Sequence, residues 1–143
     1  MGLFRKVPKG PVITADGWLL PDDPKVAPNE GPGTFDYNVV GESNYNANLR
    51  AILREEGLDV NGGGEFRTGA FLLCEPENRF DPYAVCVVIA NKRVGYIPKE
   101  DARLLSPQLK EMATNGQVLY VQAVIGWSDP AVIGVRLDVS VNS

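Results

Sequence analysis

Residues 66–97 restrict this chain to few folds, because they carry three apolar runs of strand composition joined by polar corners. The runs cover residues 66–75, 83–90 and 94–97, and they are built mostly from Val, Ile, Leu and aromatic residues bounded by turn formers, the signature of short strands. Asn91-Lys92 predicts a tight hairpin between the second and third runs, since Asn tolerates the positive φ that such turns need. The three runs together read as a three-stranded meander.

The other corner, residues 75–82, concentrates chemistry on a turn. Asn78-Arg79-Phe80-Asp81-Pro82 sets an amide, a guanidinium, an aromatic ring and a carboxylate where turn formers stop strands. Two readings are open. The group suits recognition of a polar, ring-bearing ligand; equally, Asn78 and Asp81 cap the turn through side-chain bonds to backbone while Phe80 folds beneath as a core plug. Tyr96 is open in the same way. Gly95 permits a close backbone approach, so the phenol either lines a groove or packs half-buried on its strand. Lys92 and Arg93, at a hairpin tip, read as solubilising charges.

Around the meander, residues 37–40 form a further strand that ends at Gly41. Residues 46–56 place Leu49, Ile52 and Leu53 at helical spacing, with Asn44 or Asn46 as cap and Gly57 as stop. Arg50, Arg54 and Glu55 form the solvated face of that helix. Asn61 to Gly64 is a flexible joint. After Pro98, residues 99–105 make a helical turn or two, and Ser106-Pro107 restarts a helix with proline at its first position, ending at Asn115-Gly116. Residues 118–127 and 133–141 supply closing strands linked through Ser128-Asp129-Pro130.

Residues 1–35 differ from the rest. Pro8, Pro11, Pro21, Pro24, Pro28 and Pro32 block both helix and central strand. This arm is either a flexible leader or an anchor whose Trp18, Leu19 and Leu20 dock on the body of the protein or on a neighbouring subunit, assembling a homo-oligomer. The expected organisation is thus a Pro/Gly-rich arm, 1–35, and one mainly β domain with two short helices, 36–143; 143 residues suffice for one domain with a core.

The chain contains no histidine, which removes His-ligated zinc, Ser-His-Asp and Cys-His nucleophile systems and an imidazole base. Cys74 and Cys86 lie in strand runs, where they could face each other across paired strands; they read as two reduced core thiols. No apolar run approaches the ~18 residues that span a bilayer, so the expectation is a cytoplasmic protein with no membrane partner. The only catalytic route left is a cation held by Glu75, Glu77, Asp81 and Asp101 with Lys99 nearby, but turn carboxylates are usually solvated. No phosphate loop or dinucleotide fingerprint occurs. The chain reads as non-catalytic, with no cofactor and no metal.

Three blocks carry a resemblance. Val39-Val40-Gly41-Glu42-Ser43, then Glu75-Pro76-Glu77-Asn78-Arg79-Phe80-Asp81-Pro82-Tyr83-Ala84-Val85-Cys86-Val87, then Val94-Gly95-Tyr96-Ile97-Pro98-Lys99-Glu100-Asp101-Ala102 resemble, in order and approximate spacing, the signature blocks of the HIRAN domain family, in its stand-alone bacterial or phage form. The likeness covers residues 36–125. It implies a small β-barrel of OB/SH3-like shape that, in eukaryotic members, grips single-stranded DNA at a 3′ end, in DNA repair or processing. Carried over residue by residue, Phe80 stacks on a base, Asp81 accepts the terminal hydroxyl, Lys99 contacts a phosphate and Asn78 orients the corner, with Tyr45, Arg79 and Tyr96 completing the nucleic-acid-binding set. A departure follows Gly41: where the family has a basic residue and then an aromatic one, this chain has Ser43 and Asn44, with Tyr45 one place later. Tyr45 replaces the ring if the helix start turns it inward, and Arg79 replaces the charge.

Bacterial members also occur beside helicase and nuclease modules, which makes such proteins expected partners. The rival reading is a protein-interaction or oligomerisation module that presents Trp18, Tyr45 and Phe80 to a helicase, a nuclease or a sibling subunit and never touches DNA. A net charge of −4 favours it, because an acidic surface repels phosphate at long range. Residues 67–103, with six basic and five acidic side chains, escape that trend, so DNA would be gripped in a short-range pocket.

Overall fold

The computed structural model describes residues 10–140; residues 1–9 of the expected arm and Val141, at the end of the expected last strand, lie outside them. A small antiparallel hairpin, β1 (Val12–Ile13) with β2 (Leu19–Leu20), is followed by β3 (Lys25–Asn29) and β4 (Tyr37–Asn38). A short 3₁₀ turn, Glu42–Tyr45, leads into helix α1 (Asn46–Glu55). The meander is β5 (Gly64–Cys74), β6 (Val85–Ile89) and β7 (Lys92–Tyr96); helix α2 (Lys99–Thr114) and the long strands β8 (Gln117–Asp129) and β9 (Val132–Leu137) complete the chain.

The protein is mainly β with two helices, and its principal sheet, ordered β4-β9-β8-β5-β6-β7, is strongly curled. The curl brings its edges together at residues 37–40. Tyr37 and Asn38 pair with β9, and the Val39 N–H donates to the Val135 carbonyl at 3.1 Å. One residue later, Val40 and Tyr96 exchange backbone bonds, both at 2.9 Å, so a single short segment is bonded to both edges of the half-barrel. Gly95 makes this seam possible. A Cβ there would sit 2.4 Å from Val39 Cγ1 and 2.8 Å from the Val40 carbonyl oxygen, closer than packed atoms allow.

Strand alternation then sorts the core. Leu72, Cys74, Val85, Val87, Ile89, Val121, Ile125 and Leu137 point inward, where they meet Leu49, Ile52 and Leu53 of α1 and Ala102 and Leu109 of α2. Leu73, Cys86, Val88 and Val118 point outward and would be wet but for Trp18, which covers them at 7% exposure. This explains why every residue of β6 is buried although a sheet with one wet face should alternate. It also separates the thiols. Cys74 pairs with Val85 and Cys86 with Leu73, so the two sulfurs lie on opposite faces, and both are free.

The arm packs on the half-barrel through more than Trp18. β3 runs parallel to the first half of β8, with Pro28 on an edge strand where a missing N–H breaks no ladder. Beyond it, Asp138 Oδ1 accepts the backbone N–H groups of Gly33 and Phe35 at 2.7 and 3.3 Å.

Two local expectations are corrected. The β6–β7 turn is Ala90-Asn91, one residue earlier than Asn91-Lys92, with φ of 50° and 61° at its two positions. And α2 does not restart at Ser106: it runs through Pro107. The bond that proline forfeits belongs to the exposed Arg103 turn, which faces solvent, while the buried positions Ala102, Ser106, Leu109 and Ala113 keep one continuous face on the core.

Candidate functional site

The corner between β5 and β6 is organised by Asn78 and Asp81. Asn78 Oδ1 accepts the N–H groups of Phe80 and Asp81 at 2.9 and 3.1 Å, and Asp81 Oδ1 accepts that of Tyr83 at 2.9 Å. The caps expected of a structural turn are therefore present. The core plug is not: Phe80 is 95% exposed, an unusual position for a ring that large. With Oδ1 occupied by the cap, Asp81 Oδ2 makes no hydrogen bond among the described residues.

An open groove of about 530 Å³ lies beside this corner, lined by Val40, Asn44, Tyr45, Asn78, Phe80, Asp81, Ala84, Tyr96, Ile97 and Lys99. Six of the seven residues nominated from sequence thus meet, although they come from the 3₁₀ turn, the corner, β7 and the start of α2. Arg79 is the exception; it sits exposed on the corner and does not line the groove. The 3₁₀ turn rotates Tyr45 inward, its ring centroid 6.2 Å from that of Tyr96 at a tilt of 49°. Asn44, named above as a candidate helix cap and as a departure from the motif, makes no cap bond to α1 but reaches the groove, as do Val40, Ala84 and Ile97, which lie in the three resembling blocks without having been assigned a role.

Beneath the groove is a polar hub that sequence reasoning missed. Glu75, 4% exposed, receives Arg93 Nε on Oε2 at 2.7 Å and Arg93 Nη2 on the same oxygen at 2.6 Å, while Oε1 accepts the Tyr96 hydroxyl at 2.8 Å and Asn78 Nδ2 at 2.9 Å. Arg93 is thus no solvated hairpin charge. Its other contacts reach the arm, with Nη2 donating to the Asp16 carbonyl at 2.7 Å and the guanidinium 5.2 Å from the Trp18 ring centre. Burial works against the Arg93 charge, but the attraction of Glu75, together with Cys86 and Tyr96, outweighs it and raises its pKa. Burial, with the neighbouring Tyr45 and the Glu75 carboxylate that accepts its hydrogen bond, raises the Tyr96 phenol well above the ordinary tyrosine range, so it remains a donor at neutral pH. The one signal that could have exposed the hub is the carboxylate at the very end of an apolar strand, facing an arginine on the strand two further on.

The groove itself presents one cation, Lys99, one carboxylate with an open oxygen, Asp81, and three aromatic rings. No three His, Cys, Asp or Glu side chains among the described residues are placed to hold a metal ion. Glu75 is committed to Arg93, and Asp101 accepts the Tyr37 hydroxyl elsewhere. No helix among the described residues is long and apolar enough to cross a membrane. Comparison of the chain with family models, curated proteins and solved structures finds no match.

Proposed function

We propose that the protein is a non-catalytic module of HIRAN type, with an OB/SH3-like barrel, that binds single-stranded DNA at its 3′ end in DNA repair or processing. The observation that carries this reading is the convergence of Tyr45, Asn78, Phe80, Asp81, Tyr96 and Lys99, from separate parts of the chain, on one open groove. The chemistry follows from the groups. Phe80, held out in solvent by the Asn78 cap, offers a flat face on which any base stacks, a contribution of ~1–3 kcal/mol. Asp81 accepts a terminal hydroxyl through Oδ2 and repels a terminal phosphate. Lys99 neutralises a neighbouring phosphate.

The rival, a protein-interaction module that recruits a helicase or nuclease, draws support from the net charge of −4. It loses part of its surface, because Trp18 is spent on the protein's own sheet. Fluorescence anisotropy with oligonucleotides that differ only in a 3′-OH or a 3′-phosphate separates the two. Tighter binding of the hydroxyl end is expected. Equal binding of both removes end recognition, and no binding of either at tens of micromolar favours the protein-interaction reading.

A further inference from the structure

The groove stops at Lys99, yet the cations do not. On α2, Lys99, Arg103 and Lys110 fall within roughly 40° of one another around the axis at 3.6 residues per turn, forming one edge ~16 Å long beside the buried face of Ala102, Ser106, Leu109 and Ala113. None of the three pairs with a carboxylate among the described residues, although the chain as a whole is acidic. Glu100 and Glu111 project from the next face of the helix. Tyr83, which follows the Phe80–Asp81 corner and is 42% exposed, bridges the corner to this edge, with Arg103 at 5.8 Å and Lys110 at 5.6 Å from its ring centre. Cation–π contacts of this kind hold two long side chains near one position and reduce the entropy lost when they meet a ligand.

We infer that the Lys99–Arg103–Lys110 edge of α2, with Tyr83, is a backbone track that carries the strand away from the groove. The groove takes the terminal nucleotide and the track takes the phosphates upstream of it. This rests on the nucleic-acid reading of the groove, and it adds a length requirement: a strand too short to reach Arg103 gains nothing from the track. Three aligned, unpaired cations suit a polyanion, and recognition along the track is indifferent to sequence because only phosphates are met.

The test compares a trinucleotide with a dodecanucleotide, both ending in 3′-OH, on the wild-type chain and on an Arg103→Gln/Lys110→Gln double variant. Both positions lie on the outside of the helix, so the variant keeps the fold. The dodecanucleotide is expected to bind the wild type more tightly. On the double variant its log K against log salt slope should flatten by about 1.4, equivalent to about 25-fold weaker binding at 0.1 M salt, while trinucleotide binding stays within twofold. If the dodecanucleotide gains nothing over the trinucleotide, or its slope is unchanged in the variant, the track is refuted and the groove reading stands. Equal weakening of both oligonucleotides refutes it too, since the substitutions then act through the groove. If the wild type binds neither, the groove reading fails and the track with it.

Discussion

Glu75→Gln is the perturbation with the most to say about how the site is held together. The carboxylate is 4% exposed and accepts four donor contacts, two from Arg93 and one each from Tyr96 and Asn78. Every partner is a donor, so an amide in its place points one NH₂ group at donors and leaves a guanidinium without its counter-charge. Breaking a buried ion pair from one side typically costs about 3–5 kcal/mol. Arg93 retains 20% side-chain exposure and its contacts to Asp16 and Trp18, which lowers the expected loss to about 2–4 kcal/mol. For a chain of this size that is a fall in Tm of roughly 8–15 °C, read by calorimetry or circular dichroism. A cycle with Arg93→Gln isolates the pair: the double variant should lose about 2 kcal/mol less than the sum of the single losses. A Glu75→Gln Tm within a degree or two of the parent, or strict additivity in the cycle, would refute the hub as an anchor.

Three further outcomes are expected. Phe80→Ala should weaken single-strand binding by about 1–3 kcal/mol with the Tm unchanged, since a ring 95% exposed stabilises nothing beneath it, whereas Asp81→Asn should remove discrimination between 3′-OH and 3′-phosphate ends and hardly move the Tm; an Asp81→Asn protein that melts early yet still discriminates assigns the residue to the fold. Gly95→Ala drives a methyl into Val39 Cγ1 and the Val40 carbonyl, so at least about 1–3 kcal/mol should be lost in urea denaturation, and a neutral result would mean the Val40–Tyr96 seam opens at no cost. Burial is the largest of the influences raising the pKa values of Tyr37, Cys74, Cys86 and Tyr96. The native state therefore keeps protons that the unfolded chain gives up from about pH 8.5 for thiols and about pH 10 for phenols, and stability present below that range declines as pH rises through it, so the urea midpoint should be lower at about pH 10.5 than at about pH 7.5.

Local pattern made much of the fold legible. The β5–β6–β7 meander follows from apolar runs between turn formers, and α1 from Leu49, Ile52 and Leu53 at helical spacing, because in both cases residues near in sequence decide which face is buried. Pro107 misled for the converse reason. Read locally it starts a helix, but the face from Ala102 to Ala113 packs on the core strongly enough to carry the helix through it. Arg93 looked like a hairpin-tip charge because nothing nearby in sequence announces Glu75 on β5 or Asp16 and Trp18 in the arm.

By itself, then, the chain's sequence determined the strands from β4 to β9, the first helix, the Asn78–Asp81 turn and the residue types available for chemistry, mostly through interactions a few residues apart, but not β1 to β3 in the proline-rich arm. Tertiary structure alone decided that Trp18 covers the outer face of β6, that Cys74 and Cys86 face opposite ways, and that Val40 joins Tyr96 across the seam. It likewise decided that Tyr45, Phe80, Asp81 and Lys99 share one groove. Contacts of that kind depend on how far the sheet curls and which edges meet, and this is a property of the whole sheet that no short window of residues contains.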